Sequence, residues 1–105
     1  MRVLKFNVNA QHIERDPNCG FSNIVAGTSG YLRAHFTFSS EWDNSVKVAR
    51  FWRGGKEYAV RLRDNECEIP SEVLTGVTFG VSVIGQRDSY RITTNRVLIR
   101  QEVHS

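Results

Sequence analysis

Apolar and polar residues alternate along most of this chain with a period of two. In Tyr31–Phe38, Leu32, Ala34, Phe36 and Phe38 fall on one side, and Tyr31, Arg33, His35 and Thr37 on the other. Successive side chains of a strand point to opposite faces, so this alternation predicts a strand with one buried face. Met1–Val8 repeats the pattern, with Leu4, Phe6 and Val8 set against Val3, Lys5 and Asn7. Val77–Gly85 does so with Phe79, Val81 and Val83 inward and the small residues Thr78, Gly80 and Ser82 outward. Shorter runs at 11–15, 66–69, 90–93 and 97–101 read as further strands, and Phe21–Ile24 as a short strand or a buried loop.

The runs Val46–Trp52 and Tyr58–Leu62 flank Gly54-Gly55. A two-residue turn at the glycines fixes the register, because each residue before the turn then has one partner after it. Arg53 meets Lys56, Trp52 meets Glu57, Phe51 meets Tyr58, Ala49 meets Val60 and Lys47 meets Leu62. The core face is then Ala49, Phe51, Tyr58, Val60 and Leu62. The other face carries Val46, Val48, Arg50, Trp52, Ala59, Arg61 and Arg63. The like charges of Arg53 and Lys56 leave a longer loop with another register as the alternative.

Pro70-Ser71-Glu72-Val73-Leu74 predicts the single helical turn of the chain, with Pro at a first helical position and Gly76 to end it. Ser39–Ser45 reads as a polar turn, and the tail from Glu102 is expected to fray. Seven to nine short strands with turns every eight to twelve residues predict an all-β fold, an antiparallel β-sandwich. At 105 residues the chain is expected to form one domain, 1–105, with one core.

No apolar run approaches the roughly 18 residues of a membrane span, and the first residues read as a strand rather than a signal peptide. Synthesis in the cytoplasm is the expectation. The formal net charge is +3, built from eleven Arg and three Lys against eleven acidic residues. Arg favours bidentate contacts and protein interfaces, although a GC-rich genome produces the same bias. Cys19 and Cys67 have neither zinc nor redox spacing and read as free thiols, with a disulfide holding the N-terminal segment as the alternative.

Catalytic chemistry is not evident. His12, His35 and His104 have no paired metal-ligand spacing. Glu66 and Glu68 share a strand face and could act as paired carboxylates, but a solvated face beside a turn explains them at less cost. No nucleophile elbow or phosphate loop is present in the sequence. The expectation is therefore no enzyme, no cofactor and no metal. The binding candidates are Arg50, Trp52, Arg61 and Arg63, because Trp and Val beside Arg with little Lys is the composition of a contact surface. Coverage by another sheet or by the N-terminal segment would explain the same mixture. A protein partner ranks first, and a homo-oligomer is compatible with the pattern. Nucleic acid ranks behind.

From Tyr31 to Arg100, about two thirds of the chain, the sequence resembles a β-sandwich domain of tailed-phage structural proteins, the N-terminal domain of siphophage upper baseplate proteins. The carrying residues are Tyr31-Leu32-Arg33-Ala34-His35-Phe36, Phe38-Ser39-Ser40-Glu41-Trp42, and Lys47, Ala49 and Phe51. They continue with Tyr58-x-Val60-x-Leu62 and Cys67-x-Ile69-Pro70-x-Glu72-Val73-Leu74. The last are Phe79-x-Val81-Ser82-Val83-x-Gly85 and Arg91-Ile92-Thr93-Thr94-Asn95. The resemblance implies a non-enzymatic module joining protein components of a tail or baseplate. In that family the domain heads a longer chain, whereas Ser105 is the last residue here. A stand-alone copy is expected to be a small virion part, or a domain reused as an inhibitor of a host defence complex of the anti-CRISPR kind. A carbohydrate-binding sandwich, with Trp42 or Trp52 stacked on sugar, is the third reading.

Overall fold

The computed structural model describes residues 1–103. Nine strands form: β1 (Arg2–Asn9), β2 (His12–Arg15), β3 (Leu32–Phe38), β4 (Val46–Arg53), β5 (Lys56–Arg61), β6 (Glu66–Glu68), β7 (Thr78–Arg87), β8 (Tyr90–Thr93) and β9 (Val97–Arg100). One sheet has the order β2-β1-β3-β6; the other runs β5-β4-β7-β8, with β9 also on β7. The two sheets pack together as a sandwich. Among the described residues no helix is long and apolar enough to cross a membrane.

The inward sets follow the alternation. Leu4, Phe6, Val8, Leu32, Ala34 and Phe36 from the first sheet meet Ala49, Phe51, Phe79, Val81, Val83, Ile92 and Ile99 from the second, all buried. Among the nine strands all pairs but one are antiparallel. β1 and β3 pair in parallel, Leu4 beside Ala34 and Phe6 beside Phe36. A parallel pair needs a crossover rather than a hairpin, and the segment 16–31 supplies it. This pairing places the Phe6 and Phe36 rings 5.3 Å apart. Phe38 and Trp42 extend the row, with centroids 5.1 Å apart.

The β4–β5 hairpin has the register that the two-residue turn dictates, from Arg53 opposite Lys56 to Ala49 opposite Val60. Gly54 occupies the left-handed region at φ +59°, which a side chain would resist. The helical turn after Pro70 is a 3-10 turn, Ser71–Val73. A second 3-10 turn, Ser40–Trp42, occupies the segment expected to be an irregular polar turn. It buries Trp42 completely, and the indole Nε1 donates to the Ala10 carbonyl at 2.9 Å. Trp42 therefore has no face to offer a sugar.

Side chains complete the ladders where the backbone bends between β8 and β9. The Val83 N–H donates to Thr94 Oγ1 at 3.0 Å. Asn95 closes the seam between the sheets: its Oδ1 accepts from the Ile13 N–H at 2.8 Å, and its Nδ2 donates to the Ile13 carbonyl at 3.3 Å. Asn95 thus presents to β2 the same donor and acceptor pair that a neighbouring strand would. At the other end of β9, Glu102 does not fray but forms a parallel bridge with Val25. His104 and Ser105 lie outside the described residues.

Both cysteines are free. Cys67 faces inward from β6, and burial pushes its thiol up to about 12. Because the thiolate is the reacting species, one thiol per chain, Cys19, is expected to react with a disulfide reagent in the native protein. The second should appear only in denaturant. Two fast native thiols would show that β6 opens readily.

Candidate interaction surface

The outer face of the five-stranded sheet begins with alternation. Arg50 and Trp52 point away from the core because Ala49 and Phe51 point into it. On β7 the outward positions beside them are Ser82, opposite Arg50, and Gly80, opposite Trp52. These small residues do not meet solvent as the alternation alone suggests. Ser82 is 2% exposed, because the Trp52 side chain lies across the strand and its Nε1 donates to Ser82 Oγ at 3.2 Å.

Gly80 makes room for Arg96. A Cβ at residue 80 would come within 2.6 Å of the Arg96 Cδ. The Arg96 side chain runs over this gap, and its guanidinium carbon lies 3.9 Å from the centroid of the Trp52 ring. Arg50 approaches the same indole at 5.1 Å. It also reaches the Glu57 carboxylate, Nη1 to Oε1 at 3.5 Å. A cation held against an indole face is attracted by the ring quadrupole, and more strongly where water is excluded.

Register places the remaining outward residues. Val48 lies opposite Arg61 on one side and Ile84 on the other. Gln86 lies opposite Arg91, and Thr78 opposite Arg100. Register thus puts Arg50, Arg61, Arg91 and Arg100 on this face with Glu57, and Arg96 lies across it. Val46 and Leu98 are 45% and 62% exposed on it.

Of the four residues singled out from the sequence, Arg50, Trp52 and Arg61 share this face. Arg63 does not. The chain leaves the sheet after Leu62, whose N–H still donates to Lys47, and Arg63 pairs with Glu66 across the turn into β6. Arg96 is the residue that sequence reading missed. It belongs to an irregular link, and only Gly80, a residue without a side chain opposite a Trp, hints that something lies there.

The outer face of the other sheet is different. Glu66 accepts from Arg33 Nε at 2.7 Å, and His35 Nδ1 lies 3.4 Å away. The Arg33 guanidinium holds the Glu66 carboxyl below the usual carboxylate range. The carboxylate that could have paired with Glu68 is therefore engaged in an ion pair. Among the described residues no group of three or more His, Cys, Asp or Glu side chains could hold a metal ion.

The fold defines an all-β protein of two packed sheets, one of which presents an Arg-rich face centred on an indole. Compared with models of protein families, with curated proteins and with solved structures, the chain matches none.

Proposed function

We propose that this chain is a non-enzymatic binding module that engages a protein partner through the outer face around Trp52, in the manner of a phage tail or baseplate component. The observation that carries the reading is the stack of Arg50 and Arg96 on Trp52, set among exposed Val46 and Leu98. Trp and Arg are the residues on which interface energy concentrates, and a half-buried indole is already ordered before a partner arrives. A protein partner is favoured over single-stranded nucleic acid because a base would need the indole as a stacking platform. Arg96 already lies on it at 3.9 Å. The phage assignment rests on the resemblance between Tyr31 and Arg100. The excess of positive charge on one face favours a second reading, an inhibitor that docks on an acidic groove of a host defence protein.

The test is capture of partners from infected and uninfected bacterial lysates, repeated with Arg91→Glu/Arg100→Glu. These two residues are exposed on the same face, away from the stacked core of the cluster. Tail proteins captured by the wild type would support the virion role, and a host nuclease complex the inhibitor role. Either capture should weaken at least about tenfold in the variant through lost charge complementarity. Binding that the variant leaves unchanged would remove this face from the proposal.

A further inference from the structure

The sandwich has four sheet edges, and they are not alike. The β2 edge and the β8–β9 edge close on each other through Asn95 and Ile13. β6 is three residues long. β5, six residues long, ends the five-stranded sheet with an open side. Edge strands usually carry a proline, a bulge or an inward-pointing charge that prevents pairing with another chain. β5 has none of these between Glu57 and Arg61, and its register against β4 is unbroken.

The phase of the ladder shows what the open side offers. Leu62 donates to the Lys47 carbonyl. In an antiparallel pair the bonding direction alternates from residue to residue. Residues 56, 58, 60 and 62 therefore turn their amides to β4, and Glu57, Ala59 and Arg61 turn theirs outward. This set is self-complementary. When two copies meet antiparallel about a dyad at Ala59, each Ala59 bonds the other, and each Glu57 bonds Arg61 of the other copy. All three outward amides and carbonyls are then used on both copies. Shifting the register by two residues leaves some of them unpaired.

The side chains agree with that register. On the outer face each Glu57 would lie opposite an Arg61, two opposite-charge pairs flanking the small Ala59. On the inner face each Tyr58 would lie opposite a Val60, and both are only partly buried in the single chain. The side-chain-free turn Gly54-Gly55 of one copy would come opposite Arg63 and Asp64, where the chain of the other leaves its sheet. We infer that β5 is a homodimerisation edge, occupied by β5 of a second copy in the register that places Ala59 on the dyad. The dyad stands perpendicular to the sheet, so the two Trp52 faces look the same way and form one doubled basic surface. This inference does not depend on which partner that face binds.

The experiment is sedimentation equilibrium of the full chain over a wide concentration range. Adding one strand pair is a small interface, so the expected dissociation constant is on the order of 10 μM or above. Ala59→Pro deletes an N–H that serves no backbone bond among the described residues and should abolish the dimer while leaving the melting temperature nearly unchanged. Glu57→Arg and Arg61→Glu each set like charges opposite one another and should each be monomeric. Mixed in equal amounts they restore both opposite-charge pairs and should dimerise with each other. The mixture also decides the matter if Ala59→Pro fails to fold. A monomer at every concentration, or a dimer indifferent to the charge changes, would overturn the inference.

Discussion

Trp42→Ala is expected to cost about 3–5 kcal/mol of folding stability, the range for truncating a fully buried aromatic. That is a large part of the total for a domain of ordinary stability, so a substantial unfolded fraction is expected at modest denaturant concentration. The physical reason is threefold. The indole is 0% exposed, so its removal leaves a cavity at the end of the aromatic row. It packs on Phe38 at 5.1 Å, which loses its neighbour. Its Nε1 also serves the Ala10 carbonyl at the β1–β2 turn, where Ala10 adopts a left-handed φ of +51°. Equilibrium urea unfolding followed by far-UV circular dichroism measures the loss. A cost below about 1 kcal/mol would contradict the burial described for this ring.

Gly85→Val is expected to be the most damaging small-to-large change in the core. Gly85 is buried on β7 opposite Lys47 and Ile92. A Cβ there would come within 2.8 Å of two atoms of the Trp42 ring and 3.1 Å of the Ile92 Cγ2. The ring is walled in and cannot swing aside as an exposed side chain could. Overpacking of this kind costs typically 1–3 kcal/mol, and a branched side chain against a fixed indole belongs at about 3 kcal/mol or above. The gain in strand propensity from glycine to valine is at most about 1 kcal/mol, so the clash decides the sign. Because the two residues touch, the effect should shrink by roughly 1 kcal/mol or more in a Trp42→Phe background, where the ring is smaller. Equal costs in both backgrounds would show that strain at Gly85 comes from the backbone and not from the indole.

These two residues mark where reading the sequence succeeds and where it stops. Gly85 lies in the most regular alternation of the chain, and the inward set Phe79, Val81 and Val83 was legible there. The register of the β4–β5 hairpin was legible too, because a two-residue turn couples each position to one partner. That puts Arg50, Trp52, Arg61 and Arg63 on a common outward face, and the first three share it in the structure. Trp42 was not legible: it sits in a run of Ser, Glu, Asp and Asn whose polarity predicts solvent, and only the neighbouring sheet supplies the cavity that takes the ring.

By itself, then, the sequence determined the strands, the side on which most strand residues lie and the one local pairing, since all three depend on contacts within a few residues along the chain. Tertiary structure decided the rest. A period of two says which way a side chain points but not which strand lies beside it. The parallel pairing of β1 with β3 and the closure of the seam by Asn95 are therefore absent from the pattern. The same holds for the contact surface. Arg63 leaves the face because the chain crosses to the other sheet after Leu62, and Arg96 enters it from a link with no periodicity. The stack on Trp52 exists because folding brings that arginine across the space left open by Gly80.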